Sequence, residues 1–381
     1  MNNKVMVAMS GGVDSSVTVS LLLEQGYEVC GATLRLYTNE DIGLKEKNCC
    51  SLDDVDDARR VAYKLGVDHY VFNFSDTFKE KVIGKFADDY IRGLTPNPCI
   101  ECNRHIKFSK LIERANLLGY DMIATGHYVK REYDSASGRY LLKKAEDSKK
   151  DQTYVLYVLS QYELEHTLFP MGDITKERAR EIALEKELIN AKKHDSQDIC
   201  FVPDGDYAGF LENTLGVKSK QGDFVYKDGT VLGAHKGIIH YTIGQRKGLG
   251  ISYAHPIFVL DKNPETGVVT LGENEDLFTN RLYADNVNFI AIDKLTSPMR
   301  VTAKARYSQK EAGATVHPID ENRIMVEFDE RQRAITPGQA VVMYDGDVVV
   351  GGGTIVVPTL SAQWRVESEE WRVEMNFATG L

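Results

Sequence analysis

Residues 7–17 read VAMSGGVDSSV and join a short apolar run to a segment with apolar residues at helical spacing. A strand, a turn of Ser10, Gly11 and Gly12, and a helix that begins near Val13 leave backbone N–H groups without partners at the helix start. Those groups and the positive end of the helix dipole attract phosphate, and small residues let an anion approach. No Gly-Lys-Ser/Thr follows, so this is not the common nucleotide P-loop. Two interpretations stay open, a phosphate-binding loop and a tight serine-capped turn.

The segments around this loop alternate between strand and helix patterns. EVCGATL, HYVFNF and DMIATG read as strands, and the helix patterns end at Gly26, Gly66 and Gly119. This alternation predicts an α/β fold with a doubly wound, mostly parallel sheet, which binds ligands at the carboxyl ends of its strands. After about residue 205 the helical period disappears and short alternating runs between Gly- and Asp-rich turns predict antiparallel β domains, such as small barrels.

The composition is that of a folded protein with several domains. The chain has 381 residues, 43% of them hydrophobic, and a formal net charge of −10. This excludes a protein covered in positive potential but leaves room for a local basic stripe that binds nucleic acid. No apolar stretch approaches the length of a membrane span or a signal peptide, so we expect a cytoplasmic protein without membrane association. Its six cysteines are then expected to be thiols, metal ligands or catalytic groups rather than a disulfide framework.

Cysteines stand out in the stretches TPNPCIECNRHIKF and HDSQDICFVPDG. The first carries Cys99 and Cys102 at the C-x-x-C spacing of redox and metal sites, and its two prolines predict a rigid loop. The nearby basic residues, among them Lys107, are of the kind that favours the thiolate. Cys200 lies in the second stretch, and the many turn formers in both predict exposed thiols. The alternative is that these are inert buried thiols; the adjacent Cys49 and Cys50 are treated as incidental.

Three further stretches carry polar groups that fit a nucleotide or an RNA. ATGHYVK follows a predicted strand, which puts Gly126 and His127 at the carboxyl edge of the sheet, near the phosphate loop. Basic groups beside aromatic residues suit a nucleic-acid backbone with splayed bases. Two stretches have this composition, SKKDQTYVLY at 148–157 and HYTIGQRKGLGI at 240–251. Each is also compatible with an ordinary solvated loop.

These stretches, with ARYSQ and GGGTI after them, occur in an order that resembles the bacterial tRNA-specific 2-thiouridylases, a PP-loop family of ATP pyrophosphatases. The resemblance covers residues 1 to about 356. It implies ATP-dependent 2-thiolation of the wobble uridine of tRNA, by adenylation of the uracil C2 oxygen and sulfur transfer from a cysteine persulfide. It also implies an ATP-pyrophosphatase domain (1–205), a small central β-rich domain (206–278), a C-terminal β-barrel (279–358) and a tail of no assigned role (359–381).

The family's functional residues carry over position by position. Cys102 matches the nucleophile and Cys200 the persulfide carrier, and the two would form a transient disulfide. The implied ATP-binding residues are Ala8, Met9, Ser10, Gly11, Gly12, Val13, Asp14, Ser15, Leu34 and Gly126. The implied tRNA-binding residues are Lys150, Asp151, Gln152, Arg306 and Tyr307. ATP and Mg²⁺ are the implied cofactors, and tRNA and a persulfide-donor protein are the implied partners.

One departure from the family leaves the sulfur chemistry open. Many members carry Asp where this chain has Cys99. Cys99, Cys102 and Cys200 together have the ligand count of a 4Fe–4S cluster with one open iron. The persulfide pair is favoured because thiol chemistry needs no such cofactor. Two other functions also stay open: adenylation of a small substrate by another PP-loop enzyme, and tRNA binding without catalysis.

Overall fold

The computed structural model describes residues 3–43, 50–193 and 199–357, and of residues 50–53 only the backbone. Cys49, the side chain of Cys50 and the predicted tail therefore lie outside the described part. Its strands are β1 (Lys4–Ala8), β2 (Glu28–Arg35), β3 (His69–Asn73), β4 (Met122–Ala124), β5 (Val129–Asp134), β6 (Arg139–Lys144), β7 (Thr167–Leu168), β8 (Gly222–Tyr226), β9 (Val231–His235), β10 (Phe258–Lys262), β11 (Val269–Gly272), β12 (Phe278–Phe289), β13 (Met299–Lys304), β14 (Ala312–Pro318), β15 (Ile324–Arg333), β16 (Ala340–Asp345) and β17 (Val348–Val356).

The helices of the described residues are mostly in the first half of the chain. They are α1 (Val13–Glu24), α2 (Cys50–Leu65), α3 (Ser75–Phe78), α4 (Lys85–Ile91), α5 (Pro98–Cys102), α6 (Ser109–Leu117), α7 (Thr153–Leu156), α8 (Gln161–Glu165), α9 (Lys176–Glu185) and α10 (Tyr207–Gly209). Three π-helical turns, whose hydrogen bonds run from residue i to i+5, cover Lys79–Gly84, Asn103–Lys107 and Phe210–Thr214. None of the helices in these ranges has the length and hydropathy that crossing a bilayer requires.

The first sheet confirms the predicted doubly wound α/β fold. Its five strands are all parallel and run in the order β3-β2-β1-β4-β7. Helices α1, α2 and α9 contribute to one apolar core and α6 to another, so the sheet has a core on each face. Because β1 and β4 are neighbours, the residues that follow them meet at one edge. Gly26, Gly66 and Gly119 have left-handed φ of +83°, +71° and +76° after their helices, as the capping pattern predicted.

The second half is built of β-sheet, also as predicted. The central sheet has the order β10-β11-β8-β9, and its one departure from antiparallel pairing is the parallel pair β8–β11. The long connection from β9 to β10 carries the chain across the sheet and makes that pairing possible. Strands β12–β17 form an antiparallel barrel closed by the pairing of β12 with β17. The hairpin β5–β6, from the first half of the chain, pairs with β17 and ties the parallel-sheet unit to the barrel.

Candidate active site

The predicted phosphate loop lies between the carboxyl end of β1 and the start of α1. The helix begins at Val13, as predicted. Its N-cap residue is Gly12, which has no side chain to bind the N–H groups of the first turn. Ser15 Oγ accepts a hydrogen bond from the Ser10 N–H (3.2 Å) and donates one to the Gly12 carbonyl (3.0 Å). The loop is thus closed by its own serine, while the helix start lacks a side-chain cap that would compete with an incoming anion.

Two glycines let other backbone segments approach this loop. Gly11 has a φ of +71°, and a Cβ there would lie 2.4 Å from the Asp54 carbonyl oxygen. Gly126 follows β4, and a Cβ on it would lie 2.9 Å from both the Asp14 carbonyl carbon and the Ser15 nitrogen. Such distances exclude any side chain without a shift of the backbone. Gly11 and Gly126, two of the three predicted ATP-binding glycines, are therefore required by the close packing of the loop, whatever ligand it binds.

The side chain of Asp14 is held by two groups from distant parts of the chain. Lys176 Nζ lies 2.7 and 2.8 Å from its two carboxylate oxygens, and the Tyr128 hydroxyl donates a hydrogen bond to Oδ1 (2.7 Å). Lys176 is only 5% exposed. The ion pair fixes the first turn of α1 against α9. That Asp14 also places the metal or the phosphates stays a prediction.

Sequence reasoning missed two residues that brace the loop, Lys176 and Asn190. Asn190 Nδ2 donates hydrogen bonds to the Gly11 carbonyl and to Ser16 Oγ, both at 2.9 Å. Nothing local in the sequence marks Asn190. Lys176 carries a signal, because it opens α9, and a cation at a helix N-terminus opposes the helix dipole unless an anion lies nearby.

The remaining predicted ATP-binding residues lie on β1, β2 and their ends. Ala8 ends β1, and the carbonyl of the next residue, Met9, accepts a hydrogen bond from Thr33 Oγ1 (2.9 Å). Leu34, near the carboxyl end of β2, is half-buried and pairs in register with Phe72 of β3. The structure therefore brings these residues to the edge of the sheet that also carries the phosphate loop.

The stretch that carries Cys99 and Cys102 is helical, so the predicted rigid loop was wrong. Pro98 lies in the first turn of α5, where its missing N–H removes no hydrogen bond from the helix. The Asn97 side chain accepts a hydrogen bond from the Cys99 N–H (3.1 Å) and caps the helix. The π-helical turn Asn103–Lys107 follows α5 directly. Pro98, on which the predicted loop depended, thus lies at the start of a helix.

The predicted exposure of the thiols holds for Cys99 and Cys200 and was wrong for Cys102. Cys102 is 6% exposed and belongs to an apolar cluster with Ile106 and Phe201. Burial raises the pKa of the Cys102 thiol to about 12. Although Cys200 is exposed as a residue, desolvation of its sulfur raises the pKa of the thiol to about 11. Both thiols are therefore protonated at neutral pH, although Lys107, one of the basic residues that favour the thiolate, acts to lower both pKa values.

The positive charge of Lys107 links the thiols to the edge that carries the phosphate loop. It opposes the effect of burial on the pKa of Cys102 and of Cys200. It also adds to the desolvation that holds the pKa of the half-buried His127 side chain well below its usual value. The centroid of the His127 ring lies 5.8 Å from that of Phe108, the residue after Lys107. His127 follows Gly126, which packs on the phosphate loop. The segment that carries Cys102 and Lys107 therefore contacts the edge of the sheet that carries the loop.

The predicted tRNA-binding residues come together from both halves of the chain. The Tyr307 hydroxyl donates to the Asp151 carbonyl (3.3 Å), and the Lys150 charge acts on the pKa of Tyr307, which desolvation chiefly raises. Several of their side chains already bind protein groups. Gln152 Oε1 accepts from the backbone N–H of the residue after His127 (2.9 Å), and Arg306 donates to the carbonyl of Ala334. Tyr307 is 47% exposed, so its ring is available to a ligand.

The predicted iron–sulfur ligands require three side chains that converge on one point. Within residues 3–43, 50–193 and 199–357, no three His, Cys, Asp or Glu side chains converge as metal ligands do. Cys99, Cys102 and Cys200 influence one another electrostatically but do not form such a set. The geometry therefore gives the 4Fe–4S interpretation no ligand arrangement to build on.

Three family models match successive parts of the chain. The description "tRNA methyl transferase HUP domain" matches residues 3–204, "tRNA methyl transferase PRC-barrel domain" residues 208–273, and "Aminomethyltransferase beta-barrel domain" residues 279–355. The fold and the site thus define a class of proteins in which a HUP-type parallel-sheet unit is followed by two β domains.

Curated relatives narrow this class. The chain is 56% identical over 355 residues to the tRNA-specific 2-thiouridylase MnmA of Clostridioides difficile strain 630, which covers 93% of this chain and 98% of the relative. It is 53% identical over 354 residues to that of Acetivibrio thermocellus, with 92% and 99% covered. The chain belongs to the family of tRNA-specific 2-thiouridylases.

One solved structure shares part of the fold. The U34-tRNA thiolase NcsA from Methanococcus maripaludis with its [4Fe-4S] cluster is 18% identical, with a TM-score of 0.33 over 57% of this chain and 65% of that chain. A likeness this weak supports no inference about the ligands of the present chain.

Proposed function

We propose that this protein is a tRNA sulfurtransferase that replaces the C2 oxygen of the wobble uridine with sulfur, at the expense of ATP. The observation that carries the proposal is the contact between two sites. The phosphate loop packs on Gly126, and the next residue, His127, packs against Phe108 of the segment that carries Cys102. Phe201, the residue after Cys200, is buried in the same apolar cluster as Cys102. An uncapped helix start and a pair of thiols are the two parts that adenylation and sulfur transfer need. The names of the relatives supply the substrate, tRNA.

In the first step the uracil C2 oxygen attacks the α-phosphorus of ATP, and the bond to the β-phosphate breaks. The N–H groups at the start of α1, with the loop Ser10–Gly11–Gly12 before it, would bind the leaving pyrophosphate. Mg²⁺ would offset charge on the phosphates. Lys176 and Tyr128 already bind the Asp14 carboxylate. We therefore expect phosphate oxygens and water to supply most of the ligands of the Mg²⁺ ion.

In the second step Cys200 carries a persulfide loaded by a donor protein. The terminal sulfur can attack C2 directly, so that AMP departs, and the Cys102 thiolate then attacks the inner Cys200 sulfur. That attack breaks the S–S bond of the adduct and releases the thiolated base, with a Cys102–Cys200 disulfide left behind. Alternatively, the terminal sulfur leaves as hydrosulfide when the Cys102 thiolate attacks that inner sulfur first. The second route forms a Cys102–Cys200 disulfide, the hydrosulfide attacks C2, and AMP departs. A thiol reductant then returns two electrons to the disulfide. Both routes need thiols within reach of one another, which their mutual electrostatic influence supports.

For tRNA we propose a face that spans the parallel-sheet unit and the barrel, from Lys150 to Tyr307. The target base must leave its stack to reach the buried thiols, at a cost of a few kcal/mol that an unpaired loop lowers. The division into units at residues 205 and 278 is part of this proposal. We propose the persulfide pair rather than a 4Fe–4S cluster, because the described cysteines do not form a ligand set.

The test is mass spectrometry of nucleosides from tRNA incubated with the protein, ATP, Mg²⁺ and a persulfide donor. We expect 2-thiouridine from the wild-type protein and none from Cys102→Ser or Cys200→Ser. Cys99→Ser is the matched control, since it removes a neighbouring thiol outside the proposed pair and should keep most of the activity. Both inactive variants should still exchange pyrophosphate into ATP when tRNA is present. Full activity of Cys200→Ser would overturn the proposed role of its persulfide.

A further inference from the structure

Three basic side chains follow Cys102 within five residues, and the structure distinguishes among them. Arg104 Nε lies 3.9 Å and His105 Nε2 lies 3.2 Å from the same Glu101 carboxylate oxygen. Both are therefore directed to a carboxylate on their own helix. Lys107 is half-buried, and within the described ranges no carboxylate pairs with it. Its ammonium is left to act on the groups that line the site.

The π-helical turn places Lys107, rather than its neighbours, on the side of the segment that carries Cys102. In an α-helix of about 3.6 residues per turn, a residue five positions on points about 140° away. The wider π-helical turn, with hydrogen bonds from i to i+5, brings the fifth residue back toward the same face. Asn103–Lys107 adopts this turn directly after Cys102. Lys107 and Cys102 are thus brought to one side of the segment.

Cys200 comes to the same apolar cluster from another part of the chain. The Tyr37 hydroxyl donates a hydrogen bond to the Cys200 carbonyl (2.7 Å) and so fixes the segment. Phe201, its neighbour, is buried in the same apolar cluster as Cys102. The ionisable groups that act on the two thiols are Lys107, Cys99, Tyr37 and the thiols themselves. Lys107 is the one cation among these groups.

We propose that Lys107 is the electrostatic residue of sulfur transfer, whose ammonium stabilises the sulfurs of Cys102 and Cys200 in their thiolate or persulfide-anion form. This inference rests on the proposed 2-thiolation. In this role Lys107 transfers no proton. Its charge instead offsets the burial that keeps the thiols protonated, at the moment when one sulfur attacks the other. Mutual repulsion of two sulfur anions would otherwise oppose the same step.

The experiment measures the alkylation rate of each cysteine by iodoacetamide between pH 7 and 11, with peptide mass spectrometry. The variants are Lys107→Gln, which removes the charge, and Lys107→Arg, which keeps it. Lys110→Gln is the matched control, because Lys110 carries the same charge three residues further on and pairs with Glu113 (2.9 Å). At pH 8 we expect Cys102 and Cys200 to react about tenfold more slowly in Lys107→Gln, the effect of one pKa unit. Lys107→Arg and Lys110→Gln should match the wild type.

The same three variants are assayed for 2-thiouridine formation and for ATP–pyrophosphate exchange with tRNA. Loss of thiolation in Lys107→Gln, with rescue in Lys107→Arg, supports the proposal, because a merely structural role would not follow the charge. Lys107→Met, which keeps the apolar stem, replaces Lys107→Gln if that variant unfolds. Unchanged alkylation in a folded, uncharged variant would overturn the role of Lys107. Absence of 2-thiouridine from the wild-type protein would instead overturn the proposed function.

Discussion

The phosphate loop and the thiol site are neighbours but are built on opposite principles. The loop is complete before any ligand arrives, because Ser15 closes it and Asn190 and Lys176 brace it. The thiol site is held in its unreactive state, because burial keeps Cys102 and Cys200 protonated. The contrast suits a two-step reaction. ATP can bind to a prepared site, whereas a thiolate formed too early would be open to oxidation.

The largest effect should come from breaking the preorganised loop at Gly126. In Gly126→Ala the new Cβ would meet the backbone of Asp14 and Ser15 at 2.9 Å, so the start of α1 must move. A misplacement of about 1 Å in a catalytic site costs about 100-fold, and we expect that loss in ATP–pyrophosphate exchange. Gly119→Ala is the control, since nothing lies within 4 Å of its Cβ and the strain of its left-handed φ of +76° lowers stability after α6, at the opposite end of β4 from the loop, without moving the start of α1. Near-normal exchange by Gly126→Ala would show that the loop is more plastic than its packing indicates.

The second prediction concerns the brace of the loop, Lys176. In Lys176→Met the Asp14 carboxylate keeps its Tyr128 hydrogen bond but loses its cation, and Lys176 is almost fully buried. We expect the free energy of unfolding to fall by about 2 kcal/mol. Removing one partner of a fully buried ion pair costs about 3–5 kcal/mol, and the loss here should be smaller because Asp14 is partly exposed. Denaturant unfolding measures this. The exposed pair of Arg178 on the same helix provides the control, and Arg178→Met should cost under about 0.5 kcal/mol.

The third prediction tests the opposite principle, in the thiol site. Since the pKa of Cys200 is about 11 and that of Cys102 about 12, alkylation of both should rise about tenfold per pH unit from pH 8 to pH 10. In the same protein unfolded in urea, the rates should level off near pH 9, where free thiols titrate. A plateau below pH 9 in the folded protein would contradict the raised pKa values.

The same shift makes stability depend on pH. Between about pH 8.5 and 12 the unfolded chain releases thiol protons that the folded protein retains, so the stabilising effect, complete below pH 8.5, is lost as the pH rises through that window. The decline in the free energy of unfolding above pH 9 should be smaller in Cys102→Ser. An equal decline in both proteins would assign it to other groups.

The comparison of the phosphate loop with the thiol site also shows which structural features can be predicted from the sequence. The start of α1 at Val13 and the glycine after it at position 26 are set by neighbouring residues, so local patterns predict them. The ion pair of Asp14 with Lys176 joins residues 162 positions apart, and no local pattern contains it. Cys102 looked exposed because its neighbours in sequence are polar, yet Phe201 and other distant side chains cover it. Burial, and the pKa shift that follows from it, is decided by packing that only the fold supplies.

The smallest effect that we expect concerns tRNA binding. The proposed tRNA-binding residues belong neither to the phosphate loop nor to the thiol site. If Lys150 contacts a phosphate, Lys150→Ala should lower the slope of log affinity against log salt by about one, or about threefold in affinity between 50 and 200 mM salt. Arg306→Ala should change the slope less, because that guanidinium already donates to Ala334 and Thr336 within the barrel. Fluorescence anisotropy across a salt series measures both.

Lys81→Ala, which removes a lysine paired with its neighbour Glu80, controls for net charge. Equal slopes for Lys150→Ala and Lys81→Ala would exclude Lys150 as a phosphate contact, and a full unit lost in Arg306→Ala would mean that its barrel bonds break when tRNA binds.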